Sequence, residues 1–220
     1  MDYSNNQQAR RSEWFRYYSE KRITHQWFQV HLLKDLPKIN SILEIGPGLG
    51  LVSSMLHNVG YKITTVDYLP NQYPHPDIRY LQKEIMELTL DEISGYDCII
   101  CCETLEHLLW ENVDNILTKF FESKCKWVLI SVPYQGFQLD FRLYLNLYRF
   151  KKNFSLKIFK FLKNFKFDIG ADPYGHKWEV GYKNYSLSKL EKKIKKTGFK
   201  IYKKEFSSPC RSVFFVLKNI

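Results

Sequence analysis

The chain contains no run of the roughly 18 uninterrupted apolar residues that a membrane-spanning helix needs, so an integral span is not expected. It shows no secretory leader either: Met1 to Arg10 is polar, without the apolar core of a signal peptide. Its five cysteines supply no disulfide or zinc framework. Cys98 and Cys101 have C-x-x-C spacing, but no second pair and no histidine cluster follows at zinc spacing. In a strand these two thiols face opposite sides, so they read as buried core residues. Reduced cysteines, no leader and no span together predict the cytoplasm. Internal repeats and low-complexity linkers are absent too.

What is present is enough for a core. The chain has 220 residues, 45% of them hydrophobic and 16% aromatic. That length predicts one domain over residues 1–220, with a helical segment at 1–38 and an insertion at 134–181. The formal net charge is +10 and the pI about 9.2. Such a balance admits RNA, an anionic membrane surface or an acidic small molecule as partner without choosing among them, and a merely lysine-rich surface has the same composition.

Apolar periodicity sets out an alternating order of elements. Trp14, Phe15, Tyr18, Ile23, Trp27, Val30 and Leu33 recur at helical steps, and Pro37 helps end that run. Ser41–Ile45 is a short apolar strand, followed by a helix over Leu51–Val59 that Gly60 closes. Tyr61–Val66 and Ile78–Leu81 read as strands, and Tyr96–Cys102 as a strand covered on both faces. A helix is predicted over Leu105–Phe121 and a strand over Trp127–Val132. After the insertion, Ser188 and Glu191 have capping-box spacing for a helix over Leu187–Thr197. Phe199–Phe206 and Val213–Leu217 then form a hairpin around a Ser-Ser-Pro turn. Strand–helix alternation of this kind implies right-handed crossovers and a mostly parallel sheet, an α/β fold.

The first strand runs into Gly46-Pro47-Gly48-Leu49-Gly50, and a helix opens behind it. Glycines there allow a tight turn and close approach of a ligand to the backbone. The spacing is G-x-G-x-G, unlike the G-x-G-x-x-G of dinucleotide enzymes. Glu44, at the strand end, would repel a pyrophosphate and suits a cationic ligand group such as an ammonium. Asp67 ends the second strand, at about the spacing where an acid takes ribose hydroxyls.

These residues resemble the class I S-adenosylmethionine-dependent methyltransferases, of the broad type that includes small-molecule and quinone O-methyltransferases. Ile42–Gly50 is similar to the family's first motif and Thr65-Val66-Asp67 to its ribose-binding segment. Leu81–Ile85 is similar to the segment whose acid contacts adenine, here Glu84 where Asp is commoner, and Tyr96–Leu108 to the fourth motif. The resemblance implies a Rossmann-like three-layer sandwich with a seven-stranded, mostly parallel sheet and an antiparallel C-terminal strand. It implies S-adenosyl-L-methionine as cofactor, held by Glu44, Gly46, Pro47, Gly48, Gly50, Asp67, Tyr68, Glu84 and Cys102. By the same analogy Trp14, Tyr17 and Tyr18 close over it.

Glu103-Thr104-Leu105-Glu106-His107 follows the fourth strand. If a helix starts near Thr104, the spacing puts Glu103, Glu106 and His107 on one face. His107 there could serve as a general base toward a hydroxyl, or the trio could hold a divalent cation, Mg²⁺ or Mn²⁺, that acidifies it. Ordinary capping of a helix start would use the same acids. His176, in the turn-rich Asp172–Glu179 loop, is a candidate fourth ligand or substrate contact. The E-x-x-E-H run resembles both the small-molecule O-methyltransferases and the small-RNA 3′-terminal 2′-O-methyltransferases, in which a later histidine completes a metal site. No Asn-Pro-Pro-Tyr follows the fourth strand, which disfavours amino-group methylation of bases. No Pro-Cys pair follows it either, which disfavours a cysteine nucleophile.

In the insertion, Phe150, Phe154, Ile158, Phe161 and Phe165 step by three or four with lysines between them. That pattern predicts a basic amphipathic helix over 150–167, either packed on the domain or touching a membrane surface peripherally. Three functions follow in order of expectation: O-methylation of a small-molecule, sugar or lipid-linked acceptor; metal-dependent methylation of an RNA 3′ end; and an inactive Rossmann-like binding module.

Overall fold

The computed structural model describes residues 3–71, 74–147, 150–160, 165–208 and 210–220. Its centre is a seven-stranded sheet in the order β3-β2-β1-β4-β5-β9-β8. The strands are β1 (Ser41–Ile45), β2 (Lys62–Asp67), β3 (Arg79–Gln82), β4 (Cys98–Cys102), β5 (Trp127–Pro133), β8 (Lys200–Phe206) and β9 (Ser212–Lys218). The first five run parallel, while β9 runs antiparallel to both β5 and β8. Helices α2 (Glu20–Leu33) and α3 (Leu51–Val59) cover one face; α4 (Leu90–Ile93), α5 (Val113–Glu122) and α6 (Leu187–Lys196) cover the other. The fold is therefore the Rossmann-like three-layer sandwich that the motifs imply.

The apolar run at β4 shows why both faces are filled. Cys98, Ile100 and Cys102 enter the core beneath α2 and α3, while Ile99 and Cys101 enter the core beneath α5 and α6. A strand's side chains alternate across the sheet, so a chain buried on both sides must be apolar throughout. The same alternation parts Cys98 from Cys101, and all five cysteines are free.

Several elements differ from the sequence expectation. The N-terminal helical run divides at Tyr18 into α1 (Tyr3–Tyr17) and α2, because the Ser19 hydroxyl takes the Arg22 amide and caps a new helix. The helix over Leu105–Phe121 forms only from Val113. Before it come two 3-10 turns, Leu105–His107 and Trp110–Asn112, separated by extended residues Leu108 and Leu109. Ser188 lies inside α6, and Ser186 caps it, accepting the Lys189 amide at 3.3 Å.

The largest correction concerns the insertion. Residues 150–160 are not helical; β7 (Phe150–Lys160) pairs antiparallel with β6 (Phe137–Leu147) in a separate two-stranded ribbon. A step of four residues is even, so Phe150, Phe154 and Ile158 satisfy a strand as well as a helix. The deciding signal is next door, where Phe137, Leu139, Phe141, Leu143, Leu145 and Leu147 alternate strictly. Residues 161–164 of the expected helix lie outside the described residues. The roots of the insertion are clamped: the Gln135 amide donates to the Val180 carbonyl at 2.6 Å, and the Val180 amide to Pro133 at 3.1 Å. Gly181, at φ 104°, packs on the Gln135 carbonyl where any Cβ would collide. Among the described residues no helix is long and apolar enough to cross a membrane.

Candidate active site

The parallel strands β1, β2, β4 and β5 end along one edge of the sheet, and the order reverses between β1 and β4. Open α/β sheets bind ligands at that crevice. A cleft of about 710 Å³ opens there, within the roughly 300–1,000 Å³ typical of small-ligand sites.

One half of the cleft is made by the turn after β1. Gly46, Gly48 and Gly50 have φ of 74°, 55° and 77°, in the left-handed region. Gly46 is the tightest: a Cβ there would meet the Thr104 Oγ1 at 2.5 Å. Thr104 is itself fixed, its hydroxyl donating to Cys102 at 3.0 Å and lying 3.3 Å from the Ile45 carbonyl. Glu44 lines the cleft from within β1, 3% exposed, and accepts a hydrogen bond from the Ser53 hydroxyl of α3. Burial pushes its pKa up to about 7, with the Ser53 bond pulling the other way. Asp67, at the end of β2, also lines the cleft, its Oδ1 accepting the Leu69 amide at 3.0 Å. Pro47, Tyr68, Glu84 and Cys102 share this lining. Tyr17 and Tyr18 reach it from α1 and the α1–α2 junction, and the Tyr18 hydroxyl accepts the Leu51 amide at 3.3 Å. Trp14 stands behind them, tilted against Tyr18 at 4.9 Å.

The other half holds the acids and histidines. Glu103 follows β4 with φ 51°, a conformation that residues other than glycine rarely adopt and that collects at functional sites. Its Oε1 accepts the Ser131 hydroxyl at 2.7 Å. Glu106 and His107 stand not on a helix face but on the 3-10 turn, so Glu106 points inward at 0% exposure while His107 is exposed. Neither Glu106 oxygen has a hydrogen-bond partner among the described residues. Its pKa is pushed well above the carboxylate range, by burial first and by Glu103 second.

His176 arrives from the loop after the ribbon. Its Nδ1 lies 3.0 Å from Glu179 Oε1 and 3.8 Å from Asp172 Oδ1, and its ring stands edge-on to His107 at 5.0 Å. Although His107 is exposed overall, partial burial of its ring, then His176, lowers its pKa. The loop is pinned: the Lys177 amide donates to the Glu106 carbonyl at 2.7 Å, and the Trp178 indole to the Leu108 carbonyl at 3.1 Å. One donor atom from each of Glu106, His107 and His176 lies within 4.8 Å of the others. Glu103 lines the same cleft outside this group. Asp172 and Glu179 form a second such group around His176.

Sequence reasoning missed the wall formed by Lys21, Arg22 and His25 of α2 and by Arg211 before β9. His25 is 5% exposed, its Nε2 lacks a partner among the described residues, and burial lowers its pKa. No local motif marks these residues, since sequence spacing does not reveal that α2 folds over the strand ends.

A family model described as a methyltransferase domain matches residues 18–204. Among curated proteins, a ubiquinone biosynthesis O-methyltransferase of Rickettsia typhi is 35% identical over 92 residues, covering 38% of this chain and 35% of the relative. The corresponding protein of Rickettsia bellii is 29% identical over 122 residues, covering 47% and 49%. The chain thus spans between about a third and a half of the length of these relatives. Among solved structures, the glycopeptide N-methyltransferase MtfA complexed with S-adenosyl-L-methionine superposes with TM-score 0.60 at 11% identity, covering 93% of this chain and 96% of that one. The methyltransferase domain of bacterial CtHen1 does so with TM-score 0.56 at 18% identity, covering 90% and 100%. At those identities the likeness is one of fold. The family match, however, runs from the α1–α2 junction into β8 and takes in both halves of the cleft, and by it the chain belongs to the S-adenosylmethionine-dependent methyltransferases of class I.

Proposed function

We propose that the enzyme methylates a hydroxyl of a small-molecule acceptor, with a divalent cation bound by Glu106, His107 and His176. The observation that carries this reading is Glu106: a fully buried carboxylate with neither oxygen partnered among the described residues, beside two imidazoles and in the cleft of the glycine turn. A buried charge without a partner costs several kcal/mol by order of magnitude, and a Mg²⁺ or Mn²⁺ ion would answer it with a carboxylate and imidazole donor set suited to such metals. The curated relatives, named as O-methyltransferases, support oxygen as the acceptor atom.

Bound S-adenosyl-L-methionine supplies an electrophilic methyl on a sulfonium. Glu44 would face its ammonium, Asp67 its ribose hydroxyls, and Tyr68, Glu84 and Cys102 its adenine. The tight turn at Gly46, Pro47, Gly48 and Gly50 would let it lie close to the backbone, and that alignment lowers the barrier by removing freedom before reaction. A bound cation favours the deprotonated form of the acceptor hydroxyl. His107, kept neutral by partial burial and by His176, would give the cation its one ring lone pair, and Glu179 orients His176 through Nδ1; the hydroxyl proton would leave to solvent. Glu103, held by Ser131, adds negative charge to the cation side of the cleft.

The first experiment is calorimetric titration with S-adenosylhomocysteine, then with Mn²⁺ and Mg²⁺, followed by an acceptor screen with and without metal. S-adenosylhomocysteine binding together with metal-dependent turnover of a hydroxylated acceptor supports the reading. Metal-independent turnover with Glu106→Gln fully active removes the cation from it. A second reading, an RNA 3′ end as acceptor, draws on the Lys21, Arg22 and Arg211 wall. RNA binding that falls steeply with salt, with methylation confined to the terminal ribose, would favour it.

A further inference from the structure

The ribbon β6–β7 leaves the main sheet and pairs with nothing but itself among the described residues. Directly opposed residues of an antiparallel pair share a face. The register sets Phe141 opposite Leu156 and Leu143 opposite Phe154, with Leu139 opposite Ile158. On this row Phe137, Leu139, Phe141, Leu143 and Leu145 are 45% to 53% exposed, Phe154 is 55% and Leu156 46%. Single exposed leucines are ordinary, but a continuous apolar row across two strands marks a contact surface. A two-stranded ribbon is marginal in water by itself, so its apolar face calls for an occupant.

Charge indicates which occupant. Residues 137–167 hold eight Lys and Arg against one Asp, so seven of the ten net positive charges of the chain lie in this segment. Lys152 is exposed on the same register row as the apolar residues, opposite Leu145, and Lys166 is exposed just beyond the ribbon. Apolar side chains that enter an acyl boundary, flanked by lysines that meet phosphate, match an anionic lipid surface. The root of the ribbon is tied beside the cleft: the Ser208 hydroxyl donates to Asp140 Oδ2 at 2.6 Å, and the Tyr134 hydroxyl to Gln138 Oε1 at 3.0 Å. Pro133, Arg211 and Ser212, next to these residues, line the cleft itself.

We propose that the β6–β7 ribbon docks the enzyme on an anionic phospholipid surface, apolar row inward, with the mouth of the cleft at the lipid boundary. Resting on the hydroxyl-acceptor reading, this makes the acceptor an amphiphile whose polar head enters the cleft while its apolar part stays in the lipid.

The test is co-sedimentation of the full chain with vesicles of phosphatidylcholine alone and with vesicles of equal parts phosphatidylcholine and phosphatidylglycerol. Binding is expected to the anionic vesicles, weakening as salt rises. Leu143→Ser/Phe154→Ser and, separately, Lys152→Glu/Lys166→Glu should each reduce it by about tenfold or more. Both variants should bind S-adenosylhomocysteine as the parent does, which shows that the domain is intact. Parent protein that stays in the supernatant with anionic vesicles overturns the proposal, as does undiminished binding by the serine variant. So does a parent dimer in sedimentation velocity that the serine variant dissociates, since a second copy would then cover the face. Vesicle binding is read without turnover, so its failure and failure of the hydroxyl-acceptor reading are distinguishable.

Discussion

The most deeply buried glutamate in each half of the cleft is Glu44 on one side and Glu106 on the other, and the two are served differently. Glu44 sits in a regular strand, meets the Ser53 hydroxyl, and is pushed up to about 7. Glu106 sits on a 3-10 turn, has no partner for either oxygen among the described residues, and is pushed much further by burial and by Glu103. Backbone builds the first half: strand ends, a left-handed glycine turn and a helix start. Side chains carried by two separated segments, 103–107 and 172–179, build the second. A site formed by backbone is complete once the sheet forms. A site formed by converging acids and imidazoles holds electrostatic tension that a proton or a cation must relieve.

The sharpest way to break this contrast is Glu106→Gln. The amide keeps the volume and removes the charge, so turnover should fall by about 10²- to 10⁴-fold, the usual scale of positioned acid–base or metal assistance. Affinity for S-adenosylhomocysteine should stay within about threefold, because the glycine half does not depend on that carboxylate. Calorimetry beside a steady-state assay decides. If both quantities fall together, the halves are one unit and the contrast is false.

Glu44 tests the other side through pH. Its pKa in the fold is raised to about 7 from the ordinary 4.5. Between those values the unfolded chain has released the proton and the fold still holds it, so stability falls as pH rises through that window and levels off above about 7. The swing should approach about 3 kcal/mol in the ligand-free protein, and Glu44→Gln should abolish that part of it in urea unfolding series. If Glu44 meets the ammonium of S-adenosylhomocysteine as proposed, binding should tighten as pH rises toward and past 7. Affinity flat across this range would mean that Glu44 does not meet the ammonium.

This division also explains how much the sequence disclosed. Gly46, Gly48, Gly50, Glu44 and Asp67 are close in sequence or spaced by one β-α-β unit, so local pattern and strand–helix alternation together reveal their half and the layered sheet. Glu106, His107 and His176 were named as candidates, yet the geometry expected for them was a helix face. The 3-10 turn arises because Lys177 and Trp178 bond to the Glu106 and Leu108 carbonyls, and pairing over such a sequence distance leaves no periodicity. Lys21, Arg22 and His25 carry no local signal, because only the fold lays α2 across the strand ends. In the ribbon, steps of four at Phe150, Phe154 and Ile158 suit both helix and strand, and the strict alternation over Phe137–Leu147 is what marks the pair as strands.

Asp67→Ala should weaken S-adenosylhomocysteine binding by about 1–3 kcal/mol, the cost of leaving paired hydroxyls without their acceptor. Unlike Glu106→Gln, it should leave Mn²⁺ titration of the acceptor half unchanged. Loss of metal binding in this variant would show that the cofactor half organises the acceptor half. An unchanged affinity would remove Asp67 from the cofactor site.

The smallest effect is expected where the halves touch. Thr104 lies under Gly46, and its hydroxyl donates to the Cys102 carbonyl while approaching the Ile45 carbonyl, so a single side chain links the ends of β4 and β1. Thr104→Val keeps the shape and deletes the donor, which should cost about 1 kcal/mol of stability. Both strand ends relax together, so cofactor affinity and turnover should each decline about two- to fivefold, on the scale of that one lost hydrogen bond. Thermal melting with paired binding and rate measurements reads all three. A variant that loses turnover alone would place Thr104 wholly in the acceptor half, and one that loses affinity alone would place it wholly with the glycine turn.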